Sequence, residues 1–89
     1  MREPVKMAAL GERDVAEIKA KGKHLRMFCE LTDAGFTATL YDVGLDQKVM
    51  DEIADSFEDG RQKCEEYVRR YLNETIPKIT WIHHPAPSS

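Results

Sequence analysis

Two short runs either side of Asp33-Ala34-Gly35 alternate apolar and polar residues in one shared register. That register limits the chain to a sheet with one buried face. Leu25, Met27, Cys29 and Leu31 alternate with Arg26, Phe28 and Glu30 before the loop; Phe36, Ala38 and Leu40 alternate with Thr37, Thr39 and Tyr41 after it. Pairing Leu31 with Phe36 sets Cys29 against Ala38 and Met27 against Leu40. All six then lie on one side, and a slip of one residue would turn the whole set to solvent. Gly35 is available for the left-handed position of the hairpin loop.

The segments around this hairpin complete an α+β reading. Residues 56–72 carry an amphipathic helix, with Phe57, Gly60, Cys64, Tyr67, Val68, Tyr71 and Leu72 on one stripe. Ser56 is its N-cap, with Asp59 three residues on in the manner of a capping box. Acids lie at its start, and Arg69 and Arg70 near its end, as the helix dipole favours. A glycine on the apolar stripe lowers helix propensity, which points to close approach to the sheet. Pro77 stops any continuation. Residues 48–54 read as a short edge strand, although Val49, Met50, Ile53 and Ala54 also fit helical spacing. Lys78 to His83 reads as a last strand. Residues 12–21 read as a short helix, from the three-residue spacing of Val15 and Ile18, with Gly22 as its stop. The expected fold is an antiparallel sheet of three to four strands packed on one long amphipathic helix, with a short N-terminal helix. The expected organisation is an N-terminal tail over 1–11, one domain over 12–84 and a C-terminal tail over 85–89.

With 89 residues there is room for one domain, and a chain of this size buries about two-thirds of its unfolded surface. The net charge of −3, with both signs interspersed, weighs against non-specific nucleic-acid binding, which needs clustered Lys or Arg. No apolar run approaches the roughly 18 residues of a membrane span, and the start lacks a secretory signal. The two cysteines, Cys29 and Cys64, fall at core-facing positions. They read as buried free thiols in a reducing compartment, though a disulfide between them is possible if the helix covers that strand. The expected location is the cytoplasm.

The run Asp33-Ala34-Gly35-Phe36-Thr37-Ala38, followed by Asp55-Ser56-Phe57-Glu58-Asp59-Gly60, resembles the small HicB-like antitoxin domain. There, a hairpin with an acidic-Gly-aromatic turn precedes a helix with a similar opening. Where that family has a proline-containing segment after the second strand, this chain has Tyr41-Asp42-Val43-Gly44-Leu45. The resemblance implies a regulatory domain of a bacterial or phage accessory system. A helix, three strands and a helix is also the order of double-stranded RNA-binding domains, and Gly22-Lys23-His24 is similar to the start of their first strand. Those domains place a lysine cluster at the start of the last helix. This chain has Ser56-Phe57-Glu58-Asp59 there.

No chemistry-bearing motif is visible. Metal-ligand spacing is absent, and His24, His83 and His84 are the only imidazoles. His83 and His84 would face opposite ways on a regular strand; His24 could approach one of them if the last strand neighbours the first. A core thiol stays protonated and inert. No set of nucleophile, base and oxyanion donors can be assembled, so the chain reads as a non-enzyme with no cofactor. A small enzyme would need His83 or His84 in a pocket beside an acid. The outward face of the hairpin is the better candidate: His24, Arg26, Phe28 and Tyr41 share it with Glu30, Thr37 and Thr39. Aromatics beside Arg suit contacts with a protein partner or with a second copy as a homodimer. They would also suit base stacking, with Lys23 nearby, if the domain bound nucleic acid. A leftover N-terminal helix could instead cover Phe28 with Val15 and Ile18.

Overall fold

In the structure, a computed structural model that describes residues 9–73 and 78–86, the described residues form five strands and one helix. The strands are β1 (Arg13–Ala20), β2 (Lys23–Thr32), β3 (Gly35–Asp42), β4 (Gln47–Ala54) and β5 (Ile82–His84); helix α1 spans Phe57–Leu72. The sheet is antiparallel throughout, in the order β4-β3-β2-β1-β5. The fold is therefore α+β, with a strand where a short N-terminal helix was expected and five strands rather than three or four.

The β2–β3 register is the one that alternation specifies: Leu31 opposite Phe36, Cys29 opposite Ala38, Met27 opposite Leu40. Residues 12–21 depart from the helix reading because their alternation wins. Asp14, Ala16 and Ile18 point to the buried face, opposite Cys29, Met27 and Leu25, while Val15, Glu17 and Lys19 point away. Lys21 and Gly22 both have positive φ, 51° and 73°, so Gly22 belongs to a tight two-residue hairpin turn rather than a helix end. Ladder hydrogen bonds with β2 and side-chain burial outweigh the modest helix preference of Ala, Glu and Lys.

Helix α1 lies across one face only. Ser56 caps it, its hydroxyl accepting from the Asp59 backbone N–H at 3.0 Å, and Asp59 accepts in return from the Asp55 N–H at 2.9 Å. Asn73 ends it in a left-handed conformation. Cys64, Val68 and Leu72 are buried against Leu25, Met27, Ala38, Leu40 and Met50, and Gly60 lies against Cys29 and Ala54. A Cβ added at Gly60 would stand 2.2 Å from Cys29 Sγ, so the glycine is what lets the helix come this close. Leu31, Phe36 and Phe57, expected on the buried side, are half-buried at the margin of the core, as is Trp81; there Phe57 meets Phe36 edge-on with ring centroids 5.0 Å apart. Residues 47–54 form edge strand β4, with a register shift between Leu40 and Tyr41.

The last strand is shorter than expected, three residues paired with Arg13–Val15 of β1. It adjoins β1, so His24 on β2 does not approach His83 or His84. The expected helix stop at Pro77, the bulk of the N-terminal tail and residues 87–89 lie outside the described residues. Cys29 and Cys64 are buried free thiols.

Candidate functional site

The face of the sheet opposite α1 carries no described element over it. Strand pairing orders its side chains into rows that run across the strands. One row is Ile82, Val15, Phe28, Thr39 and Asp51. A second row is Glu17, Arg26, Tyr41 and Lys48; a third, on the other side of the first, is His84, Arg13, Glu30, Thr37 and Ile53. The middle row is thus apolar over β5, β1 and β2, with charged rows flanking it. Ile82 and Ile53 are 60% and 62% exposed, which is costly for side chains of this size unless something covers them.

His24, Arg26, Phe28 and Tyr41 all lie on this face. Glu17 joins two of them: its carboxylate accepts from Arg26 Nε at 3.0 Å and sits 2.7 Å from His24 Nε2. Those two bonds, His24 first, hold the Glu17 carboxyl below its usual range. Tyr41 donates its phenol proton to the Asp46 carboxylate, and that bond raises the phenol's pKa. Phe28 is half-buried between Val15 and Thr39. Lys23 is elsewhere. It lies on the helix side, 3.9 Å from Asp42 and over the Tyr71 ring at 5.1 Å. The helix that could have covered Phe28 is strand β1, so Val15 flanks Phe28 in the sheet and Ile18 points into the core.

Two polar clusters sit on the helix side. Asp42 is buried and accepts from the Leu45 N–H at 3.1 Å and from Tyr71 Oη at 2.9 Å. Burial would raise its pKa, but these bonds and Lys23 outweigh it and keep the carboxyl low. At the other end, buried Asp14 accepts from Arg61 Nη1 at 2.5 Å and sits 2.5 Å from His83 Nδ1. His83 Nε2 is 2.8 Å from Glu12, and Phe57 abuts the ring edge-on. Asp14 foremost, opposed by burial and helped by Glu12, raises the His83 pKa.

His83 therefore has the acidic neighbours that an enzyme reading asks for. Its two ring nitrogens, however, are both directed at carboxylates. With both nitrogens engaged by carboxylates, the ring ties β5 to β1 and to Glu12. Burial foremost pushes the Cys29 thiol up to about 11 and the Cys64 thiol up to about 12, which favours the protonated form. Among the described residues no group of three or more His, Cys, Asp and Glu side chains is placed to hold a metal, and no helix is long and apolar enough to cross a membrane.

Sequence reasoning missed Val15, Glu17 and Ile82 as members of the open face, and Asp14 and Glu12 as partners of His83. The period-two alternation of Asp14-Val15-Ala16-Glu17-Ile18, closed by Lys21-Gly22, was the available signal. Comparison with known proteins finds no matching family model, curated protein or solved structure.

Proposed function

We propose that the domain works by binding rather than catalysis, and that the uncovered sheet face receives a protein partner. One observation carries this reading. The row Ile82, Val15 and Phe28 runs across three strands with no described layer over it, between rows of mixed charge. Apolar centres with a polar, charged rim suit protein interfaces, where aromatics and Arg are enriched. The resemblance of the hairpin and helix cap to HicB-like domains favours a regulatory role in a bacterial or phage accessory system, acting in the cytoplasm.

A nucleic-acid surface is less well supplied. Arg26 is engaged by Glu17, Glu30 shares the face, and Lys23 lies on the other side of the sheet. Phosphate binding would require net positive charge along that face.

Two measurements test the reading. Fluorescence anisotropy with duplex DNA and RNA should show no binding at moderate salt; micromolar, salt-dependent binding lost in Arg26→Glu would overturn it. Affinity selection should recover a protein with the wild type and with the helix variant Arg70→Glu, but not with Phe28→Glu. Identical recovery with Phe28→Glu would remove the open face as the binding surface.

A further inference from the structure

We propose that the occupant of the open face is a second copy of this chain, docked face to face about a two-fold axis running across the strands over Val15 and Phe28. This rests on the reading of that face as a binding surface. The argument is the arrangement of its charges. On β1, Arg13 and Glu17 stand two residues either side of Val15; on β2, Arg26 and Glu30 stand two residues either side of Phe28. Because the strands are antiparallel, Arg13 is opposite Glu30, and Glu17 opposite Arg26. The four charges form a square of alternating sign centred on the apolar row.

Turning a second copy over about an axis along that row exchanges the two flanking rows. Arg26 then meets Glu30 of the second copy, and Glu17 meets Arg13 of the second copy. Phe28, Val15 and Ile82 meet their own counterparts. Tyr41 meets Thr37, and Lys48 meets Ile53, so neither encounters a like charge. A two-fold contact of this kind is self-complementary, as closed dimers require. Asp51, at the β4 end of the row, is the one exception. It is already paired with Lys48 of its own chain at 3.1 Å, which offsets its charge.

Size sets the strength. Five strands about 4.8 Å apart and three rows of side chains cover on the order of 400–500 Å² per copy. Two such faces give about 1,000 Å² in all, the lower limit for a specific interface, so a micromolar dimer is expected.

The test uses the full chain in sedimentation velocity over a range of micromolar concentrations, with circular dichroism as the check of folding. The wild type should dimerise. Arg26→Glu places two acids against each other, the introduced one and Glu30 of the second copy. Glu30→Arg likewise places the introduced base against Arg26 of the second copy. Each variant alone should dimerise at least about tenfold more weakly. Mixed in equal amounts, the two variants restore both pairs. The acid introduced by Arg26→Glu faces the base introduced by Glu30→Arg, and the native Glu30 of the first variant faces the native Arg26 of the second. The mixture should associate about as tightly as the wild type.

A wild type that stays monomeric at every concentration overturns the second copy as occupant, and leaves the face to a different protein. A wild-type dimer whose mixed variants do not recover overturns the axis across the strands, since an axis along the strands would set the acid introduced by Arg26→Glu against Glu17 of the second copy. A dimer that withstands both charge reversals and Phe28→Glu lies on another surface, and then the reading of the open face fails as well.

Discussion

The two faces of this sheet obey different rules, though they share every backbone atom. Under α1 the side chains are chosen by volume. Leu25, Met27, Cys29, Ala38 and Leu40 are fully buried, and a glycine on the helix makes room for one sulfur. On the open side the side chains are chosen by charge and exposure: Arg against Glu, Thr against Asp, with large apolar groups left half in water. The difference teaches that strand alternation fixes which residues share a face, while the covering layer decides which of the two faces becomes core.

The sharpest way to break this contrast is to truncate neighbours on one strand. Leu40 and Thr39 are adjacent in β3 and point to opposite faces. Leu40→Ala should cost about 2–5 kcal/mol of unfolding free energy in urea titration, and Thr39→Ala within about 0.5 kcal/mol. Similar costs at the two sites would mean that both faces are packed.

Gly60 comes next. Gly60→Ala gains up to about 1 kcal/mol of helix propensity but forces a methyl onto Cys29 Sγ, an overpacking cost of about 1–3 kcal/mol. A net loss of stability is expected, with part of it recovered when Cys29→Ala removes the sulfur. If Gly60→Ala stabilises the domain, the helix sits farther from the sheet than the volume rule demands.

The His83 clamp sharpens the contrast at the edge. Its pKa is raised by Asp14 and then Glu12, so its contribution to stability is fully present below the unfolded value of about 6.5 and is lost as pH rises through the higher folded value. In an NMR titration the His83 ring should have its midpoint above about 6.5, and the protection of the β5 backbone amides should fall as the pH passes that midpoint. A midpoint at or below about 6.5 would show that the ring is free of its carboxylates.

The smallest effect belongs to the open face itself. Arg26→Ala removes an exposed ion pair with Glu17 and should change monomer stability by less than about 1 kcal/mol. A larger loss would make Arg26 a structural residue and weaken its assignment to binding.

These features were unevenly legible in the sequence. The β2–β3 hairpin was readable because large apolar side chains occupy every second position, and only one register buries them all. The helix was readable from Ser56, Asp59 and the stripe ending at Leu72. Strand β1 was hidden because its buried positions hold Asp14, Ala16 and Ile18. An acid whose partners Arg61 and His83 lie 47 and 69 residues away breaks the apolar signal locally, and alanine marks either element weakly. The open face was half-visible for the same reason: His24, Arg26, Phe28 and Tyr41 belong to the legible hairpin, whereas Val15, Glu17 and Ile82 arrive with strands whose pairing is long-range.

Arg13 at the start of β1 stands directly opposite His84 at the end of β5. Tension applied at Arg13 and His84 would therefore act at one end of this strand pair and part it bond by bond, like a zipper, instead of shearing all its bonds together. Only three residue pairs join β5 to β1, against eight between β1 and β2, so β5 would be the first strand to part.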